Sequence, residues 1–241
     1  MCRMAGVVFR RSFPSDILSD LKLAAESGRV PDSEVQGHPD GWGIVSFSAS
    51  SPFYIARRPV PIFQDPEFAA AEKKVIGLMG PGIVIAHARH SSKGKKSVEN
   101  THPFIVGQIA LAHNGTVEGL TEPTSRKPLG GTDSELLALH LAEFYEDKND
   151  LKSAMRSLVR ETIRGKKFTA AIILASDGKE LAGYRDYTVN EEYYNLDVVR
   201  FEDNVIIFQD SRSPYSSGSE RIGKGELVIV DMDLRVTREK V

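Results

Sequence analysis

Residues 131–164 read GTDSELLALHLAEFYEDKNDLKSAMRSLVRETIR, and this stretch decides the fold class. Thr132 and Glu135 have the spacing of a capping box, in which a hydroxyl and a carboxylate satisfy free N–H groups of the first turn. Leu136, Leu137, His140, Leu141 and Phe144 then recur at helical spacing. A second helix follows at about 150–164, with Leu151, Met155, Leu158 and Ile163 on one side. Two consecutive helices thus stand in the middle of the chain, with strand-like runs on both sides of them. That order favours an α+β layered domain over βαβ alternation.

Upstream, short apolar runs at 4–9, 41–47, 53–58, 83–88 and 105–112 read as strands. Helices are expected over 15–28, with Ser15 as cap, and over 67–78. Downstream, strands are expected at 168–174, 180–186, 193–201, 204–209 and 226–232. Residues 119–131 read as a loop. No linker or repeat divides the chain, which predicts a single domain over 2–241.

The 241 residues carry a net charge of −2 with acids and bases mixed, so nothing points to nucleic acid as main partner. The basic cluster Lys93, Lys95 and Lys96 reads as a solvated loop. No apolar run is long enough to span a bilayer, and the start does not resemble a signal peptide. A single cysteine excludes an intramolecular disulfide, and cytoplasmic residence is the simplest expectation.

Five places could carry chemistry. Cys2 would gain a free α-amine on loss of Met1, placing nucleophile and base on one residue; a lone cysteine is otherwise an ordinary core residue. Asn114-Gly115 reads equally as a hairpin turn or as two donors of an oxyanion hole. Strand alternation puts His87 and Arg89 on one face and His90 on the other, which argues against a two-histidine metal site. Arg89 suits a carboxylate; an arginine at a sheet edge is the plainer reading. Asp133 could bind an ammonium or simply offset the helix dipole. Trp42, between two glycines, suits a ligand cover or the core equally.

The order of these motifs narrows the choice. Met1-Cys2-Arg3, HPDGWG (38–43), AHARHSS (86–92), NTHPF (100–104), AHNGT (112–116) and GTDSE (131–135) together resemble the class II glutamine amidotransferase domain, an N-terminal nucleophile (Ntn) hydrolase. VIIFQDS (205–211) and GELVIVD (225–231) are similar to the end of that domain. The resemblance implies a four-layer αββα sandwich. It implies Cys2 as nucleophile, Asn114 and Gly115 as oxyanion hole, Arg89 on the substrate α-carboxylate and Asp133 on its α-ammonium. Ser92 stands where the family often has Thr, and His90 and Gly94 are implied pocket lining. No cofactor or metal is implied.

The implied reaction releases glutamate and ammonia from glutamine through a thioester. The length leaves no room for the family's synthase domain, so a separate synthase or peptidase subunit is one expectation. Hydrolysis of γ-glutamyl peptides or conjugates is the alternative. A catalytically silent binding module keeping the fold, and a histidine-based metal hydrolase, are readings of other classes.

Overall fold

The computed structural model describes residues 2–28, 30–31, 36–91, 94–123, 125–209 and 214–241. In chain order its elements are β1 (Arg3–Phe9), α1 (Ile17–Ser27), β2 (Gly41–Ser48), β3 (Tyr54–Arg58), α2 (Pro66–Ile76) and β4 (Gly82–Arg89). Then follow β5 (Phe104–Val106), β6 (Ile109–Val117), α3 (Asp133–Lys148) and α4 (Leu151–Ser157), which widens into a π-helix over Leu158–Ile163. The chain closes with β7 (Phe168–Ser176), β8 (Glu180–Tyr187), β9 (Asp197–Arg200), β10 (Asn204–Phe208), β11 (Glu220–Arg221), β12 (Glu226–Asp231) and β13 (Val236–Lys240).

The strands form two antiparallel sheets, ordered β11-β9-β10-β1-β4-β2-β3 and β13-β12-β8-β7-β6-β5. Strand alternation explains why each sheet can be covered on both faces. Met4 and Val8 of β1 and Ile83 and Ile85 of β4 meet Ala110, Ala112, Ile172 and Leu174 of the other sheet. Their neighbours Val7, Val84 and Ala86 point the opposite way, onto Leu18 and Leu21 of α1 and Phe68 of α2. Leu111 and Ile173 likewise face Leu137, Leu141 and Met155 of α3 and α4. The layers are therefore α1/α2, sheet, sheet, α3/α4: an αββα sandwich.

The helix starts differ from expectation in instructive ways. α1 begins after Asp16, with no side-chain cap, because the Ser15 hydroxyl donates to Asp16 instead. Thr132 caps α3 by accepting from the Glu135 N–H at 3.2 Å. The Glu135 carboxylate does not complete the box; it takes the N–H groups of Leu129 (2.7 Å) and Gly130 (2.8 Å), tying the preceding loop to the helix.

Three strand expectations change as well. The run 105–112 is two strands, β5 and β6, joined through Gly107 at φ +59°. Residues 193–196 are not strand; β9 starts at Asp197. Asn114-Gly115 is no hairpin turn but lies inside β6, where the register shifts between Gly115 and Val117.

Candidate active site

The layer between the sheets is apolar along most of its length and turns polar at one end. There β1 starts, β4 stops, and β6 runs on to its bulge. A narrow cleft opens at this point, lined by Cys2, Arg89, His90, Ser91, His102, His113, Asn114, Gly115, Thr132, Asp133 and Ser134. Cys2, Asn114, Gly115, Arg89, Asp133 and His90 thus come together from segments far apart in the chain.

Cys2 is held by Asn114 across the two sheets. The Cys2 N–H donates to Asn114 Oδ1 at 2.8 Å, and Asn114 Nδ2 donates to the Cys2 carbonyl at 3.0 Å. The second Nδ2 hydrogen goes to Gln209 Oε1 at 2.9 Å. Asn114 is fully buried, so this complete pairing is what its burial requires. The Cys2 thiol faces the carbonyl of His90 at 3.7 Å. Gly115 has φ +139°, and a Cβ there would collide with the Ala170 carbonyl, so only glycine lets the bulge form.

Arg89, at the end of β4, donates to the Lys95 carbonyl at 3.2 Å and to Ser91 Oγ at 3.0 Å. The loop after β4 therefore curls under the guanidinium. Asp40 holds the same loop from outside, accepting from the Ser91 N–H at 2.7 Å and pairing with Lys96 at 2.5 Å. Burial alone would raise the Asp40 carboxyl, but Lys96 and the Ser91 N–H hold it below its ordinary value. Lys95 and Lys96 are exposed, as expected of a solvated loop, with Lys96 also tied to Asp40; Lys93 lies outside the described residues. Asp133 begins α3, where a carboxylate is favoured, and accepts from the Val117 N–H at 2.7 Å.

The cleft adjoins a larger surface pocket of about 420 Å³, and Thr132 and Asp133 line both. Gly94, at φ +80°, sits outside the cleft lining, close to Thr132 and Asn100. Ser92 lies outside the described residues. Trp42 corrects the expectation of pocket lining: it faces the α1/α2 layer, fully buried, with its indole N–H on Asp65 at 2.9 Å and its ring edge-on to Phe68.

Histidine is the feature that motif reading undervalued. His102 and His113 line the cleft, and His87 stacks on His102 with centroids 4.2 Å apart. Burial pushes His87 down to about 3 and His38 down to about 2, with the positive Arg89 and Arg3 adding to the effect. Burial also holds His102, His113 and His90 below the ordinary imidazole value. These rings are neutral at pH 7. The only signal in the sequence was their place at strand ends, within motifs quoted for other residues. Among the described residues no group of His, Cys, Asp and Glu is arranged to hold a metal ion.

Comparison with known proteins gives the geometry a family. The model of class-II glutamine amidotransferases matches residues 1–207. A Haemophilus influenzae protein with the provisional name glutamine amidotransferase is 31% identical over 157 residues, 61% of this chain and 49% of that one. A glutamine–fructose-6-phosphate aminotransferase of Methanothermobacter thermautotrophicus is 31% identical over 65% of this chain and 27% of its own. This chain therefore spans between about a quarter and a half of these curated relatives. Two solved structures share the fold at 18% identity, each over 99% of this chain. They are a glutamine aminotransferase class-II domain protein from Silicibacter pomeroyi (99% of that chain, TM-score 0.62) and the PRPP amidotransferase of B. subtilis (49% of that chain, TM-score 0.65). The fold is thus the four-layer α+β sandwich of the Ntn hydrolases, and the chain belongs to the class-II glutamine amidotransferases, a family of enzymes.

Proposed function

We propose that this enzyme hydrolyses the γ-amide of glutamine through Cys2, releasing ammonia and glutamate, and that 2–241 act as one glutaminase-type domain. The observation that carries this reading is the cleft where Cys2, Arg89, Asn114, Gly115 and Asp133 converge. Its opposite charges, Arg89 and Asp133, match an α-amino-acid zwitterion.

Removal of Met1 frees the α-amine of Cys2, whose ordinary pKa is near 8. That amine takes the thiol proton while the sulfur attacks the amide carbon. The surrounding histidines support this assignment. Burial holds the three histidines that line the cleft, His90, His102 and His113, below the ordinary imidazole value, which weakens them as bases and favours the amine as acceptor. The negative charge on the carbonyl oxygen is met by the Gly115 N–H and by the Asn114 hydrogen on the Cys2 side, which turns from the Cys2 carbonyl that holds it in the resting site. The C–N bond breaks, the proton passes to the leaving nitrogen, and ammonia departs. Water then cleaves the γ-glutamyl thioester to glutamate, restoring the thiol.

Delivery of the ammonia to a separate synthase partner belongs to the same proposal. So does residence in a reducing compartment such as the cytoplasm, because an oxidised thiol cannot attack. The test is a substrate comparison with the Met1-free chain. Turnover of free glutamine at least matching that of a γ-glutamyl dipeptide is expected. A strong preference for the dipeptide would replace glutaminase with γ-glutamyl peptide hydrolysis at the same residues.

A further inference from the structure

Asn114 presents a problem of orientation. The two ends of its side-chain amide have nearly the same shape and opposite hydrogen-bonding character. With Met1 attached, Cys2 N is an amide and can only donate. As a free amine it can also accept. A reversed Asn114 would then aim an N–H at the lone pair that has to take the thiol proton. The Cys2 carbonyl, which only accepts, favours the Nδ2 end at 3.0 Å, but that hydrogen is the one the reacting oxygen competes for, so a second anchor has to hold the amide when it turns away.

We propose that Gln209 is a positioning residue that fixes the orientation of Asn114 toward the nucleophile. This rests on reading Cys2 as an N-terminal nucleophile. The Tyr193 backbone carbonyl only accepts, and Gln209 Nε2 donates to it at 3.3 Å. Gln209 must therefore turn its oxygen toward Asn114. Asn114 must answer with Nδ2, at 2.9 Å, which leaves Oδ1 for Cys2 N at 2.8 Å. The Tyr193 carbonyl, acting through Gln209, thus imposes on Asn114 the same polarity as the Cys2 carbonyl does, and does so from outside the reacting site.

The anchor itself is braced. Arg185, buried within its sheet, donates to the carbonyls of Tyr194 at 2.8 Å and Glu191 at 3.2 Å, on either side of Tyr193. Gln209 is also registered on the nucleophile strand, since its backbone N–H donates to the Met4 carbonyl at 3.0 Å. It does not line the cleft. β10 and β4 flank β1 on opposite sides, so Gln209 holds Asn114 from the side away from Arg89. One amide hydrogen is anchored behind by Gln209, and the other, held in the resting site by the Cys2 carbonyl, is on the side where the substrate reacts.

The test is a double-mutant cycle on the Met1-free chain, with N-terminal mass checked for every variant and folding followed by thermal melting. Gln209→Met keeps the length and removes both polar ends. It is expected to lower kcat about 10- to 100-fold, with KM changed less than about twofold. Gln209→Glu keeps an acceptor toward Asn114 and is expected to recover most of that loss. The pair Asn114→Ser with Gln209→Met should be no slower than Asn114→Ser alone, because Gln209 acts only through Asn114. Additive losses, an unimpaired Gln209→Met, or a Gln209→Glu as slow as Gln209→Met would each overturn the proposal. If the wild type cleaves neither glutamine nor a γ-glutamyl amide, the functional reading fails by itself. The cycle is then read in the rate of Cys2 alkylation by iodoacetamide, with the same non-additivity expected and additivity again overturning the proposal.

Discussion

The layer between the two sheets has two ends made from the same strands. At one end β1, β4 and β6 contribute Val8, Ile83 and Ala110 to a core made mostly of aliphatic side chains. At the other they contribute Cys2, Arg89 and Asn114, each buried and most of them fully hydrogen-bonded. Alternation along each strand puts both sets on the same face. The difference teaches that the apolar end supplies rigidity and the polar end spends it: a buried amide and guanidinium are tolerated because the strands beneath them cannot move apart.

That contrast can be broken from either side. The largest expected effect is Cys2→Ala, which should lower amide hydrolysis by about 10⁴-fold or more while leaving the melting curve close to wild type. The change removes a single buried sulfur atom with one weak hydrogen-bond contact, so little packing is lost. Leu174→Ala, at the apolar end, should do the reverse. It removes a fully buried side chain and should cost about 2–5 kcal/mol in denaturant unfolding, with kcat unchanged in the folded fraction. Asp133→Asn keeps an acceptor for the Val117 N–H but loses the charge for an ammonium. KM for glutamine should rise about 10- to 100-fold with kcat little altered.

A last effect, on stability alone, is its dependence on pH. His38 and His87 have folded-state values of about 2 and 3, below the 6.5 of an exposed imidazole. Below pH 6.5 the unfolded chain therefore binds more protons, so their contribution is fully present above that pH and is lost as pH falls toward the folded values. Each should remove about 1.4 kcal/mol per pH unit once well below 6.5. Thermal melting between pH 7 and 5 reads this directly. A flat profile would mean that these rings are charged in the folded protein.

Much of this was legible in the sequence, and the misses have physical causes. The apolar alternation of β1, β4, β6 and β7 and the Thr132 cap mark local structure that short-range rules describe. β13 escaped notice because Val236–Lys240 is a polar, largely exposed edge strand, recognisable only from its pairing with β12. Together β12 and β13 complete the second sheet from residues beyond the family match. Asn-Gly reads as a turn by local propensity, yet a strand partner at Ala171 overrides it. Trp42 gave no clue to its side of the sheet because glycines flank it on both sides. The roles of His102, His113 and Gln209 depend on contacts between distant segments, which no spacing encodes.

The central claim is that Cys2, freed of Met1, is the nucleophile. The most direct measurement is intact and peptide mass after treatment with a glutamine analogue carrying an electrophile at its γ-position. One adduct per chain, located on a Met1-free Cys2 and rising in step with loss of glutamine hydrolysis, is the predicted result. Undiminished hydrolysis by a chain fully labelled at Cys2, or by one that retains Met1, would contradict it.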